Sequence, residues 1–331
     1  RRPERPLLGA RAEDQQQRMK SSMRYLSESD VAELLPTVPE QIATVLEALK
    51  QVAERRAHQP PKIALPVGTG RRFAHLMPAL VRGLNGRVVG AKWISGGDGA
   101  SIDGLVIVED EAGTVRGLVA AAGLTAARTA AVSGAAMQVV RRGLGPVSRV
   151  AFVGGGVQAH SHRKALAALC PDAHVSFVTR RSATELPLRA GDRVADHPED
   201  ALRHADLLIT AAAFGTEPRT LPLGLLGPDA TIIVIDYATS IRGEDLALLR
   251  AHRGLRLITD SAEQFEATRA AGKLDGWPAI TEEIGAVGVG AAAGAAGTTI
   301  VNHLGIAACD LVLADLLLER AAERGVGTLL G

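Results

Sequence analysis

Three small residues, Gly154, Gly156 and Ala159, fall at the spacing G-x-G-x-x-(G/A) within VAFVGGGVQAHSHRKALAAL, between a greasy run and an Ala- and Leu-rich one. What such a spacing provides is missing side chains. The first glycine permits a tight turn, the second lets a pyrophosphate approach the backbone, and the third small residue lets helix and strand pack closely. Free N–H groups and the positive end of the helix then hold the phosphate charge. Gly154, Gly155, Gly156, Val157, Gln158 and Ala159 are therefore the candidate dinucleotide cradle. The plain alternative is a glycine-rich turn in another doubly wound domain.

An NAD site usually offers Asp or Glu to the adenosine ribose about 20 residues further on. Here the chain reads FVTRRSATE, placing Thr179, Arg180, Arg181 and Ser182 at that point. A carboxylate would repel a 2′-phosphate, whereas two guanidiniums and two hydroxyls would grip one. The expected cofactor is NADP in preference to NAD, against the alternative that both arginines face solvent.

A nicotinamide needs a substrate beside it, and two cations offer to hold an anionic, amino-acid-like one. Lys92 is the lone lysine of the apolar VVGAKWISG, where burial lowers an ammonium's pKa and makes it a usable acid or a carboxylate partner. Arg128, with Thr129, opens the small-residue run of GLTAARTAA, within reach of both cofactor and substrate. His160 and His162 invite a metal reading, but residues two apart on a helix do not share a face, so no metal is expected.

These residues need elements to position them. Ser27 with Asp30, and Thr37 with Glu40, resemble capping boxes opening two helices, the second carrying Ile42, Val45, Leu46, Leu49 and Val52 at helical spacing. From Lys62 the pattern turns to β-rich runs, KIALPV, RVVGAKWIS, LVIVED and TVRGLVA, the signature of an antiparallel meander. A helix is predicted from about Thr125 to Arg142, and GLGPVS marks a boundary. Beyond it, greasy strands alternate with helical connectors (RVAFVGGG, HVSFVTRR, DLLITAAA, TIIVID, RLITD), implying a parallel sheet covered on both faces. The last helix, CDLVLADLLLERAAERG, is amphipathic and is expected to return to the first domain.

The fold class is thus α/β, a Rossmann doubly wound parallel sheet beside a first, α+β domain. Residues 1–22 read as a disordered tail, 23–147 as the first domain, joined by the returning 299–331, and 148–298 as the nucleotide domain.

Composition narrows the function classes. Thirty-seven basic against 36 acidic residues, with 3% aromatics, supply neither a phosphate-tracking face nor a base-stacking platform, which argues against nucleic acid. The charge-free stretch 284–309 is Gly- and Ala-dominated and holds Asn302 and His303, so it reads as tight packing and not as a membrane span. Cys170 and Cys309 lie far apart, and the opening lacks a charged-then-greasy leader; a reduced, cytoplasmic protein is expected.

LMPAL, GAKWISG, LTAARTAA, VAFVGGGVQA and HLGIAACDLVLADLLLERAAERGVG occur in the order and rough spacing of the ornithine cyclodeaminase/μ-crystallin family, and the resemblance covers residues 24–331. That family includes archaeal-type alanine dehydrogenase and opine- or imine-forming relatives. The resemblance implies a discontinuous α+β substrate and dimerisation domain, 23–147 with 299–331, beside the Rossmann domain, and homodimers paired through the substrate domains. It also implies that Lys92 and Arg128 hold the substrate carboxylate, with Arg128 and Thr129 approaching the cofactor phosphates.

Departures from the family pattern bear on the reaction. Lys62 stands where members often carry an arginine, a weaker bidentate carboxylate clamp, and His75 stands where cyclodeaminases have glutamate. The catalytic aspartate of cyclodeaminases falls on Thr239, with Asp236 three residues early, and Gly96, Gly97 and Asp98 replace the usual P-x-N. Cyclodeamination needs a carboxylate to position the amines, whereas hydride transfer to C=N needs only a carboxylate clamp, a proton donor and the nicotinamide. The expected function is NADP-dependent imine reduction, with His75, Lys92, Tyr237 or His303 as proton donor. An ammonia-releasing cyclodeaminase with bound NAD, or a non-catalytic μ-crystallin-like binder of NADP and a small ligand, are the alternatives.

Overall fold

The computed structural model describes residues 23–68, 72–97, 100–213, 220–252, 254–290 and 297–331; the expected tail 1–22 and Asp98 lie outside them. The chain folds as two seven-stranded sheets, one mixed and one wholly parallel.

The mixed sheet begins with β1 (Met23–Leu26), followed by α1 (Glu28–Leu34) and α2 (Val38–Ala53). Both capping boxes form: Ser27 N donates to Asp30 at 2.9 Å and Thr37 N to Glu40 at 2.8 Å. Next come β2 (Ile63–Pro66), β3 (Phe73–Gly83), β4 (Gly86–Gly97), β5 (Ala100–Asp110) and β6 (Val115–Ala120). From β2 to β6 each strand pairs antiparallel with the next, as the meander predicts. Short β1 runs parallel to β6, and the sheet order is β14-β1-β6-β5-β4-β3-β2, with β14 being Thr328–Leu330. Neither terminal strand was expected, since each is too short to show a period.

α3 (Ala121–Val140) leaves β6 without a break, four residues before the predicted start. Its cap is supplied from afar: the Glu28 carboxylate accepts from Ala122 N and Gly123 N, each at 2.8 Å. No local residue could signal that boundary. α3 is buried almost throughout, and its small residues let neighbours close in; a methyl on Gly134 would lie 2.7 Å from Ile42.

The parallel sheet comprises β7 (Arg149–Val153), β8 (His174–Val178), β9 (Arg193–Val194), β10 (Leu207–Thr210), β11 (Thr231–Val234), β12 (Leu255–Thr259) and β13 (Thr298–Asn302). Their order is β12-β13-β11-β10-β7-β8-β9, joined by α4 (Val157–Leu169), α5 (Pro198–Leu202), α6 (Gly243–His252), α7 (Ala262–Ala270) and α8 (Ile284–Val289). Alternate strand residues go to opposite cores: Phe152, Ile209 and Ile233 on one face, Ala151, Leu208 and Ile232 on the other. This is the doubly wound α/β arrangement.

Within residues 284–309 the chain is tightly packed from Thr298 onward, and Thr298–Asn302 adds a strand that the sequence pattern did not predict, inserted between β11 and β12. The returning segment was drawn from residue 299, but the chain crosses back only after this strand. α9 (Ala307–Arg324) then packs on α2, α3 and the inner face of the mixed sheet in one shared core. Among the described residues no helix is long and apolar enough to cross a membrane.

Candidate active site

Gly154 ends β7 at φ +123°, donates its N–H to Val178 O and backs onto β10, where a Cβ would sit 2.4 Å from Ala211 O. Only glycine combines that torsion with that approach. A Cβ on Gly155 would meet Thr179 Oγ1 at 2.7 Å, whereas at Gly156 it would meet nothing within 4 Å. The opening lies at the first turn of α4, beside Val157 and Gln158, while Ala159 is wholly buried beneath it. It also lies between β7 and β10, where the strand order reverses and doubly wound sheets bind their ligands. A pyrophosphate fits this cradle, because the space and the first-turn N–H groups coincide.

Arg180, Arg181 and Ser182 are exposed beyond β8, and Arg181 N donates to Thr179 Oγ1 at 3.1 Å. The structure adds Glu185, which sequence reading passed over. It accepts from Ser182 N at 3.0 Å and from Arg181 Nη1 at 2.9 Å.

The three cations that are candidates for holding substrate, Lys62, Lys92 and Arg128, come from the segment before β2, from β4 and from α3. Lys92 lies opposite Met77 and Val106 in the mixed sheet and points inward, 1% exposed. Its ammonium donates to Asp310 Oδ1 at 2.8 Å, and Arg128 Nε donates to the same oxygen at 2.9 Å. Asp310 Oδ2 is buried and finds no partner among the described residues. Burial, then the Arg128 charge, lowers Lys92 from its usual range to about 7, against the opposing pull of Asp310.

Arg128 rests against Gly305, where a Cβ would come within 2.7 Å of its Nη1. The loop at Gly305 is held by Asp260, which accepts from Gly305 N at 2.7 Å and Leu304 N at 3.2 Å. Lys62 Nζ donates to Leu304 O at 2.7 Å and to the Tyr237 hydroxyl at 3.0 Å. Tyr237 reaches it from a left-handed backbone, φ +61°, uncommon for a bulky residue and found at turns that carry function.

The remaining candidates divide. His75 shares the inward face with Lys92 and stacks on Phe73 at 4.8 Å. Burial first, then Lys62, Lys273 and Lys92, lower its pKa to about 4, leaving a neutral imidazole. Thr239 joins Tyr237 in lining an open cleft of about 600 Å³. Asp236 is not brought into the cluster: Thr210 Oγ1, Ala212 N and Ser240 Oγ occupy its two oxygens at 3.0, 3.0 and 2.6 Å, tying the loop after β11 to the end of β10.

His303 does point inward, yet its Nε2 is engaged with Ser133 Oγ at 2.9 Å. Ser133 also meets His162 Nε2 at 2.8 Å, and His162 Nδ1 meets Gln158 O at 2.8 Å. Burial lowers His162 to about 4 and His303 well below its ordinary value, so both rings are neutral. The carbonyl end sets one direction along this chain. His162 must carry its proton on Nδ1, Ser133 must donate to His162, and His303 must donate from Nε2. ¹⁵N NMR is expected to find His162 as the Nδ1–H and His303 as the Nε2–H tautomer; the reverse assignment in either ring would remove this reading.

The ornithine cyclodeaminase/mu-crystallin family matches residues 21–325. The chain belongs to this family. No curated protein matches the sequence. Among solved structures, an archaeal alanine dehydrogenase dimer with bound NAD is 21% identical at TM-score 0.78, covering 94% of this chain and 99% of its own. The Δ1-pyrroline-2-carboxylate reductase of Thermococcus litoralis, in complex with NADH and L-proline, is 20% identical at TM-score 0.77, covering 92% and 99%. The iminosuccinate reductase of Paracoccus denitrificans, with NAD+, is 20% identical at TM-score 0.73, covering 94% and 99%. At these identities the likeness shows a shared fold. Family and neighbours together support a nicotinamide cofactor and NAD(P)-dependent oxidoreduction or cyclodeamination, without fixing a substrate.

For this family member, sequence reading passed over Asp310, Asp260 and the Ser133–His162 link. Asp310 had a legible signal: it is a carboxylate inside AACDLVLAD, and a charge in so greasy a run needs a buried partner.

Proposed function

We propose that the chain is an NADP-dependent oxidoreductase that reduces a C=N bond in an amino-acid-like substrate. The observation that carries this reading is Asp310, a single carboxylate bridging two buried cations, Lys92 and Arg128. One negative charge between two positive ones leaves attraction for a substrate carboxylate in a low-dielectric site. Arg128 and Lys92 hold that carboxylate, with Lys62 beside them. When bound, the nicotinamide supplies hydride to the imine carbon. Lys92, with a pKa near neutrality, gives the proton to nitrogen, since His75 and His303 are neutral and hold no ready charge to give. Gly154–Ala159, with Arg128 and Thr129, receive the diphosphate, and Thr179, Arg180, Arg181 and Ser182 the 2′-phosphate.

Cyclodeamination is the weaker reading. His75 and Thr239 stand where its carboxylates belong, and Asp236 is already hydrogen-bonded on both oxygens. Nicotinamide absorbance during incubation with 2-oxo acids plus ammonium tests the choice. Net NADPH consumption is expected; ammonia release without net cofactor change would establish a cyclodeaminase, and binding without turnover a ligand carrier. Arg180→Asp with Arg181→Asp is expected to weaken NADP by roughly tenfold or more relative to NAD, from loss of charge-assisted contacts. An unchanged preference would remove the NADP assignment.

The protein is further proposed to be a homodimer. Trp93, Leu105 and Ile107 are 43, 40 and 39% exposed on the outer face of the mixed sheet, and Trp93 lies directly opposite Leu105. An apolar patch of this kind marks an interface. Trp93→Glu is expected to sediment as a monomer, and a variant that stays dimeric would place the interface elsewhere. Cys170 and Cys309 are free thiols, which fits a reducing, cytoplasmic setting.

A further inference from the structure

Arg181 and Ser182, proposed above to receive the 2′-phosphate, already hold an anion. Glu185 Oε1 accepts from Arg181 Nη1 at 2.9 Å, and Glu185 Oε2 accepts from Ser182 N at 3.0 Å and from Ser182 Oγ at 2.9 Å. Arg180, beside them, is exposed and makes no ion pair among the described residues.

The fold fixes where this carboxylate stands. The short turn Ala183–Glu185 follows β8, and Leu186 behind it is buried in the same core as Phe177 and Ala159. Glu185 O meets His160 Nε2 at 3.2 Å, which fastens the turn to α4. A Cβ on Gly155 would meet Thr179 Oγ1 at 2.7 Å, Arg181 Cδ at 3.0 Å and Leu186 Cδ2 at 3.1 Å. The stem of Arg181 thus lies against the glycine cradle while its guanidinium is turned to Glu185. NAD sites usually carry an acid at the end of the second strand, the corner that the adenosine ribose reaches. Here arginines follow that strand, and the turn brings an acid back to them.

A phosphate monoester carries about −1.5 to −2 charge at pH 7. To reach Arg181 and Ser182, the 2′-phosphate of NADP must displace the Glu185 carboxylate and then remain beside it. NAD, with a bare 2′-hydroxyl, meets neither cost. We infer that Glu185 is a specificity-determining residue: its carboxylate competes with the 2′-phosphate for Arg181 and Ser182, holding down the preference for NADP and keeping NAD a usable cofactor. The inference rests on the reading of Gly154–Ala159 and the two arginines as the cofactor site.

The test is calorimetric titration of the full chain with NADP and with NAD, which needs no turnover. Glu185→Gln removes the charge but keeps an acceptor for Ser182 N, since Gln serves in a capping box as Glu does. It is expected to tighten NADP by about three- to tenfold, the span of one or two exposed charge contacts, and to leave NAD within about twofold. Glu185→Asp keeps the charge, and Asp30 already fills the same place in the box at Ser27, so its ratio of NADP to NAD affinity should stay within about twofold of wild type. An unchanged ratio in Glu185→Gln, equal tightening of both nucleotides, or a shift in Glu185→Asp as large as in Glu185→Gln would each overturn the inference. The paired substitution Arg180→Asp with Arg181→Asp separates the two readings. If it shifts the preference while Glu185→Gln does not, the role of Glu185 alone falls; if it leaves the preference unchanged, the NADP assignment falls and the competition with it.

Discussion

Replacing Asp310 by alanine is expected to destabilise the protein by about 3–5 kcal/mol, the range for breaking a buried ion pair by removing one partner. The substitution strands two cations at once, Lys92 and Arg128, both nine-tenths buried or more. Adding Lys92→Met should recover part of the loss, because a well-packed apolar side chain costs less there than an unpaired ammonium. Chemical denaturation of the single and double variants measures both effects. A loss below about 1 kcal/mol in Asp310→Ala would mean that Asp310 does not neutralise the pair. Neither variant should retain the proposed reductase activity, since the proposed clamp loses either its geometry or its proton donor.

The second large effect concerns pH. Lys92 is lowered from its ordinary 10.5 to about 7, first by burial and then by the Arg128 charge. In the proposed reaction the protonated form binds carboxylate and donates the proton, and it is lost as pH rises through that value. The kcat/KM is expected to hold below pH 7 and to fall about tenfold per unit above it. Lys92→Met should lower kcat by roughly 10²–10⁴, the usual span of general-acid catalysis. Lys92→Arg keeps a charge for the carboxylate but no proton to give at neutral pH, so it should bind substrate while losing both turnover and the falling limb. A profile flat well above neutrality in the wild-type enzyme would assign the proton to another group.

Much of the scaffold was legible in the residues. The glycine spacing announced its turn because backbone approach excludes side chains locally, and the same exclusion is visible at Gly154 against Ala211. The capping boxes at Ser27 and Thr37 are equally local and formed as read. Lys92 stood out because an apolar strand with one ammonium has few innocent explanations. What could not be read were elements whose stabilising partner is distant in sequence. The start of α3 depends on Glu28, and the strand Thr298–Asn302 depends on neighbours β11 and β12.

The sequence alone determined which groups are candidates for the chemistry: three small residues proposed for a diphosphate, arginines where an NAD site usually has an acid, and a lysine and an arginine proposed for a carboxylate. Only the tertiary structure decided how they are paired. It placed Asp310 between Lys92 and Arg128, committed Asp236 to hydrogen bonds within its own loops, and linked His303 through Ser133 to His162. The reason is physical: a side chain's identity is a local property, whereas its charge state and hydrogen-bond partners depend on what burial brings within about 3 Å of it, and burial is a property of the whole fold.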